Sequence, residues 1–135
     1  MISKQNLTIV CASHNGENKL PLFLDSIKKN SQKPKEIIIC GTNASDINKV
    51  SKDTLQSLDI KFVVSDIANQ IYQRRLAISM IKTSYILQLD DDLILEENAI
   101  KKYCSHFNTL NSANNIVSGY TIFPNGKHMS SRFKS

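Results

Sequence analysis

An α/β fold with a mostly parallel sheet is predicted by two features of the sequence. Its apolar residues switch regularly between short continuous runs and stripes at helical spacing. The runs are unbroken, as in strands covered on both faces, so parallel pairing with right-handed crossovers is expected. The chain has 135 residues, 41% of them hydrophobic, and no internal repeat or low-complexity tract. It therefore reads as one globular domain that buries roughly two-thirds of its unfolded surface.

The elements follow in order. Leu7 to Ala12 (LTIVCA) is a continuous apolar run and the first strand, and Leu20, Phe23, Leu24 and Ile27 then recur at helical spacing, with Pro21 acceptable in the first turn. Glu36 to Cys40 (EIIIC) is β-branched and unbroken, a second strand. Gly41 and the capping types Thr42, Asn43, Ser45 and Asp46 come next, leading to a weaker second helix. Ile60 to Val64 is the third strand, Ile67 to Ile81 the third helix, Tyr85 to Leu89 the fourth strand and Glu96 to Phe107 the fourth helix. Ile116 to Ile122 is a candidate fifth strand.

Composition excludes several classes. The net charge of +5 is modest, and 14 of the 17 basic residues are Lys spread along the chain, unlike an Arg-rich surface interleaved with aromatics. Nucleic acid is therefore not an expected partner. The basic surface is either simply solvated or attracts anionic lipid or a phosphorylated ligand. No apolar run approaches the ~20 residues of a membrane span, and no signal-peptide pattern precedes the first strand, so a cytoplasmic location is expected, with peripheral membrane contact left open. Cys11, Cys40 and Cys104 are odd in number and never spaced as CxxC, which points to buried thiols.

In a parallel sheet ligands bind beyond the carboxyl ends of the strands, which directs attention to four loops. They hold Ser13, His14, Asn15, Gly16 and Glu17; Gly41, Thr42 and Asn43; Ser65 and Asp66; and Asp90, Asp91 and Asp92. The last group is the most informative, because three consecutive carboxylates repel one another unless a cation or hydrogen-bond donors occupy the site. If the strand end is extended, Asp90 and Asp92 point the same way and can share a hard cation, Mg²⁺ or Mn²⁺. The other reading is that the acids are solvated or cap the fourth helix. Arg74 and Arg75 fall within the stripe traced by Ile67, Ile71, Ile78 and Ile81, so a guanidinium there must reach solvent, pair with a carboxylate such as Asp66, or contact a ligand. His14 and Asn15 beside Gly16 give a flat ring, an amide and a permissive backbone. Neither GxGxxG after the first strand nor GxxxxGK[ST] anywhere is present, so phosphate has no glycine-rich cradle.

These segments together resemble the nucleotide-binding half of a GT-A glycosyltransferase of the large inverting family 2, over about residues 6 to 123. LTIVCASHNGENKLPLFLDSI is similar to that family's first strand, asparagine turn and helix, EIIICGTNASD to its second strand, YQRRLAI to its arginine helix and YILQLDDDLIL to its aspartate metal motif. The resemblance implies a Rossmann-like sheet with helices on both faces. It implies that Ala12, Ser13 and His14 line the base pocket, that Arg74 faces the diphosphate, that Asp90 serves ribose and metal, and that Asp92 serves the metal. Asn15, Thr42 and Asp91 complete the expected nucleotide-sugar set. The implied cofactor is Mn²⁺ or Mg²⁺, and the implied donor is a UDP- or dTDP-sugar before a GDP-sugar. The acceptor is a saccharide or lipid-linked hydroxyl that displaces the nucleoside diphosphate in one step. Gly41 and Thr42 stand where many members carry paired acids.

In the family, an acceptor half follows the fifth strand and supplies the base, and here no acid follows Glu97. Residues 124–135 are thus expected to be a basic tail that begins a missing acceptor half. The chain alone is expected not to transfer sugar, and to expose a sheet edge that favours self-association. A non-catalytic nucleotide-sugar-binding or assembly module is the alternative. A phosphoacceptor receiver domain is disfavoured by His14 and Asn15 in the first loop, and a haloacid-dehalogenase-type phosphatase by carboxylates on the fourth strand and not the first.

Overall fold

The computed structural model describes residues 6–109. Four parallel strands, β1 (Leu7–Ala12), β2 (Glu36–Gly41), β3 (Ile60–Val64) and β4 (Tyr85–Gln88), form one sheet in the order β3-β2-β1-β4. Four α-helices accompany it: α1 (Leu20–Lys28), α2 (Lys52–Ser57), α3 (Gln70–Ile78) and α4 (Ala99–Asn108). This is the α/β architecture expected from the sequence. The candidate fifth strand, Ile116 to Ile122, and the 124–135 tail lie outside the described residues.

Side chains alternate across the strands and so build a core on each face. Leu7, Ile9, Cys11, Ile37 and Ile39 point to one side, where they pack with Leu20, Phe23, Leu24 and Ile27 of α1 and with Ile100 and Cys104 of α4. Val10, Ile38 and Cys40 point to the other, against Ala77, Leu76 and Ile78 of α3. Helices on both faces explain why β1 and β2 are buried along their whole length. Their sequences could therefore be continuous apolar runs.

Several boundaries differ from the periodicity reading, and at the start of α3 a side-chain cap is the reason. Asn69 accepts a hydrogen bond from the Tyr72 N–H (3.0 Å), so α3 starts at Gln70 and not Ile67. Ile67 and Ile71, assigned to a buried stripe, are exposed, and the buried positions of α3 are Gln73 and Ala77. The α3 helix also ends at Ile78, short of Ile81. Helix α4 begins after Asn98, leaving Glu96 and Glu97 in the preceding turn. The segment after β2 is a 3-10 turn, Ala44–Ile47, capped by Asn43, followed by α2 capped by Ser51.

A polar clamp holds the β4–α4 connection onto α1. The buried Asn30 side chain donates to the carbonyls of Ser26 (3.2 Å) and Glu96 (3.0 Å) and accepts from the Ile100 N–H (3.1 Å). Ser26 Oγ accepts from the Leu95 N–H (3.0 Å). These bonds anchor the segment that follows Asp90–Asp92.

Candidate functional site

In the order β3-β2-β1-β4, the chain leaves β1 toward β2 on one side and returns from β3 to β4 on the other. The switch falls between β1 and β4, the position beyond the carboxyl ends where an open parallel sheet offers a binding crevice. The loop after β1 and the loop after β4 meet there. Ser13 is buried, its N–H extends the ladder to the Cys40 carbonyl (2.9 Å), and its hydroxyl donates to Asp91 Oδ2 (2.7 Å). Gly16 makes this contact feasible: a Cβ on residue 16 would lie 2.0 Å from Ser13 Oγ and 3.3 Å from Asp91 Oδ2.

Asn15 has a positive φ of 53°, which asparagine tolerates better than most residues, and the turn it makes leaves His14 and Asn15 exposed above the crevice. The Asn15 amide nitrogen lies 3.3 Å from His14 Nε2, and His14 Nδ1 lies within hydrogen-bond distance of Thr42 Oγ1 at 2.9 Å. The loops after β1 and β2 thus share a flat polar platform. At position 41 a Cβ would lie 2.5 Å from the ring of Phe62, so any side chain there requires that ring to move.

The expected geometry at the carboxylates requires correction. Strand β4 stops at Gln88, and Asp90 to Leu93 form a turn closed by the Leu93 N–H to the Asp90 carbonyl (3.3 Å). Alternation along an extended strand therefore does not aim Asp90 and Asp92 together. The three carboxylates have separate surroundings. Asp91, with its side chain only 12% exposed, is held by Ser13 and lies 4.0 Å from Lys19 Nζ. Asp90 pairs with Arg74 Nη2 at 3.0 Å. Asp92 is exposed and does not cap α4, whose N-cap is Asn98. Of the outcomes left open for the guanidinium, pairing with a carboxylate is realised, with Asp90 as partner and not Asp66. Arg75 is exposed.

Gln73 and Lys19 escaped the sequence reading. Gln73 is 1% exposed and sends its amide nitrogen to the carbonyls of Ser13 (2.7 Å) and Cys40 (2.8 Å). A polar residue one turn before Ala77 on the face that packs on the sheet is the signal that marks it. Cys11 and Ala12 are buried at the carboxyl end of β1. Burial, reinforced by the charges of Asp91, Asp90 and Asp92, pushes the Cys11 thiol far above its ordinary range, so it stays neutral and does not serve as a nucleophile.

The family model for glycosyl transferase family 2 matches residues 8–134. The chain belongs to this family. Solved structures of Staphylococcus aureus TarS share its fold. One matches with a TM-score of 0.67 at 13% identity over 88% of this chain and 24% of TarS. TarS 1-349 in complex with UDP matches at 0.63 and 14% over 77% of this chain and 32% of that one. Its complex with UDP-GlcNAc matches at 0.55 and 17%, over 77% and 31%. The present chain thus spans a third or less of these TarS chains. No curated protein sequence matches it. Membership makes this a glycosyltransferase-type domain with the GT-A sheet. No helix among the described residues is long and apolar enough to cross a membrane.

Proposed function

We propose that the crevice binds a nucleoside diphosphate sugar, with UDP as its nucleotide, and serves the donor side of an inverting transfer to a saccharide or lipid-linked hydroxyl. One observation carries the reading. A His14–Thr42 platform on the loops after β1 and β2, the Arg74 guanidinium on α3 and the exposed carboxylates of Asp90 and Asp92 after β4 come together where the strand order reverses. A base, a diphosphate and a cation call for these three kinds of group. The likeness to TarS, crystallised with UDP and with UDP-GlcNAc, supports UDP over dTDP and GDP.

Among the described residues no three carboxylate, imidazole or thiol side chains form a metal cage. Asp90 and Asp92 nevertheless suit a Mg²⁺ or Mn²⁺ that keeps several waters and takes its other ligands from substrate phosphate. They are two carboxylates on one open turn, while Asp91 is already committed to Ser13. Such a cation supplies Lewis-acid stabilisation of charge developing on the leaving diphosphate. The chain's own residues do the rest. Arg74 turns from Asp90 to a phosphate oxygen, and His14 and Thr42 present ring and hydroxyl to the base.

Calorimetric titration with UDP, dTDP and GDP, each with Mn²⁺ or with EDTA, tests the reading. UDP should bind most tightly and depend on the cation, and Asp92→Asn should weaken that binding without lowering the melting temperature. Equal affinity in EDTA sinks the metal assignment, and no binding of any of the three sinks the nucleotide reading.

A further inference from the structure

Two parts of the proposed site stand on different elements. The His14–Thr42 platform stands on the loops after β1 and β2, and Arg74 on α3. One buried group joins all three. The Gln73 amide nitrogen spends both hydrogens on the carbonyls of Ser13 and Cys40, at 2.7 and 2.8 Å, and Gln73 directly precedes Arg74. The Cys40 carbonyl also receives the Ser13 N–H, so the carboxyl ends of β1 and β2 close on each other and on the helix through a single polar cluster.

We propose that Gln73 is a positioning residue that fixes the platform and Arg74 at one separation, so that a nucleoside diphosphate can engage both at once. Gln73 is 1% exposed, and it acts through the backbone of Ser13 and the placement of its neighbour Arg74. An amide is suited to this task because a carboxylate would repel two carbonyls and an apolar side chain would leave the Ser13 carbonyl without this donor. The inference rests on the nucleotide reading for its ligand but not for its geometry.

Gln73→Met keeps length and volume and removes the donors, and Gln73→Asn retains an amide too short to span both carbonyls. In the free protein, the ¹⁵N resonances of the His14 ring should shift in Gln73→Met while circular dichroism stays unchanged. On titration with UDP, uridine and inorganic diphosphate, affinity for UDP should fall about tenfold or more, whereas that for each half alone changes by less than about threefold, because only the joined ligand draws on their relative placement. Gln73→Asn should lose less, with the same split. Equal losses for all three probes, or unshifted His14 resonances, overturn the proposal. Should Gln73→Met fail to fold, the split in Gln73→Asn decides alone. A wild type that binds no UDP refutes the nucleotide reading, and the His14 resonances then decide the positioning role.

Discussion

Substituting Gly16 by Ala tests whether the β1 loop is held to the carboxylate turn as described. The added Cβ would stand 2.0 Å from Ser13 Oγ, a separation no side-chain adjustment short of rotating the hydroxyl away can relieve. Rotation breaks the 2.7 Å bond to Asp91. A hydrogen bond to a charged acceptor contributes ~1.5–3 kcal/mol, and residual crowding adds on the order of 1 kcal/mol. The lower backbone entropy of the unfolded alanine chain returns ~0.4–1 kcal/mol. The expected net loss is thus about 2–3 kcal/mol, or a melting temperature lower by about 6–12 °C at this chain length. The deciding measurement is a cycle with Ser13→Ala, followed by urea denaturation. Once the hydroxyl is gone, the new Cβ meets only Leu20 Cγ at 3.2 Å and Asp91 Oδ2 at 3.3 Å, which yield by a few tenths of an ångström. Gly16→Ala should then cost less than about 1 kcal/mol, giving a coupling near 2 kcal/mol. An additive cycle, within about 0.5 kcal/mol, would refute the argument that Gly16 is small for the sake of the Ser13–Asp91 contact.

Other perturbations separate stability from binding. Arg74→Ala breaks an exposed ion pair and should change stability by less than ~1 kcal/mol, yet weaken UDP binding by about 1.5–3 kcal/mol, with Arg75→Ala close to wild type in calorimetry. Asn30→Ala removes the clamp between α1 and the start of α4 and leaves the Ile100 N–H without that acceptor. It should cost ~2–4 kcal/mol in urea denaturation without altering the m-value. Burial raises the thiols of Cys11, Cys40 and Cys104 above their ordinary 9.0. The folded state therefore holds protons that the unfolded chain releases. Stability should be constant in this respect below about pH 8 and fall above it, by up to ~1.4 kcal/mol per pH unit for each thiol, until the folded thiols titrate. Iodoacetamide at pH 8 should label all three only after denaturation.

Strands β1 and β2 were legible because burial on both faces demands continuous apolar runs, and LTIVCA and EIIIC satisfy that demand with few alternatives, while the half-buried edge strand β3 was legible from the β-branched and aromatic residues of IKFVV. The ends of α3 and α4 were not, since Asn69 and Asn98 start helices inside segments whose apolar spacing had suggested earlier starts. The site was legible as a set of residue types and less so as contacts. Asp90–Asp92, Arg74, His14 and Ser13 were all named, but the Arg74–Asp90 and Ser13–Asp91 pairings come from a turn that no periodicity encodes. Gln73 was legible only as a polar residue one turn before Ala77 on the buried face of α3, not by its partners. Its role depends on two backbone carbonyls, and backbone groups carry no sequence signature.

The pairings also bear on how the crevice accepts a charged ligand. Asp90 and Arg74 neutralise each other in the free protein, with side chains 61% and 33% exposed, so separating them costs little. Asp91 is different: it is largely buried, tied to Ser13, and more costly to release. On the proposed reading, the exchange therefore falls on Asp90 and Arg74. A cation alone would draw Asp90 away and leave Arg74 without its partner, and an anion alone would do the reverse. A metal-bound diphosphate supplies both counter-charges in one event, so each half of the broken pair is satisfied as the other is released. Cation and nucleotide should consequently bind more tightly together than their separate affinities imply, because each relieves the imbalance the other creates.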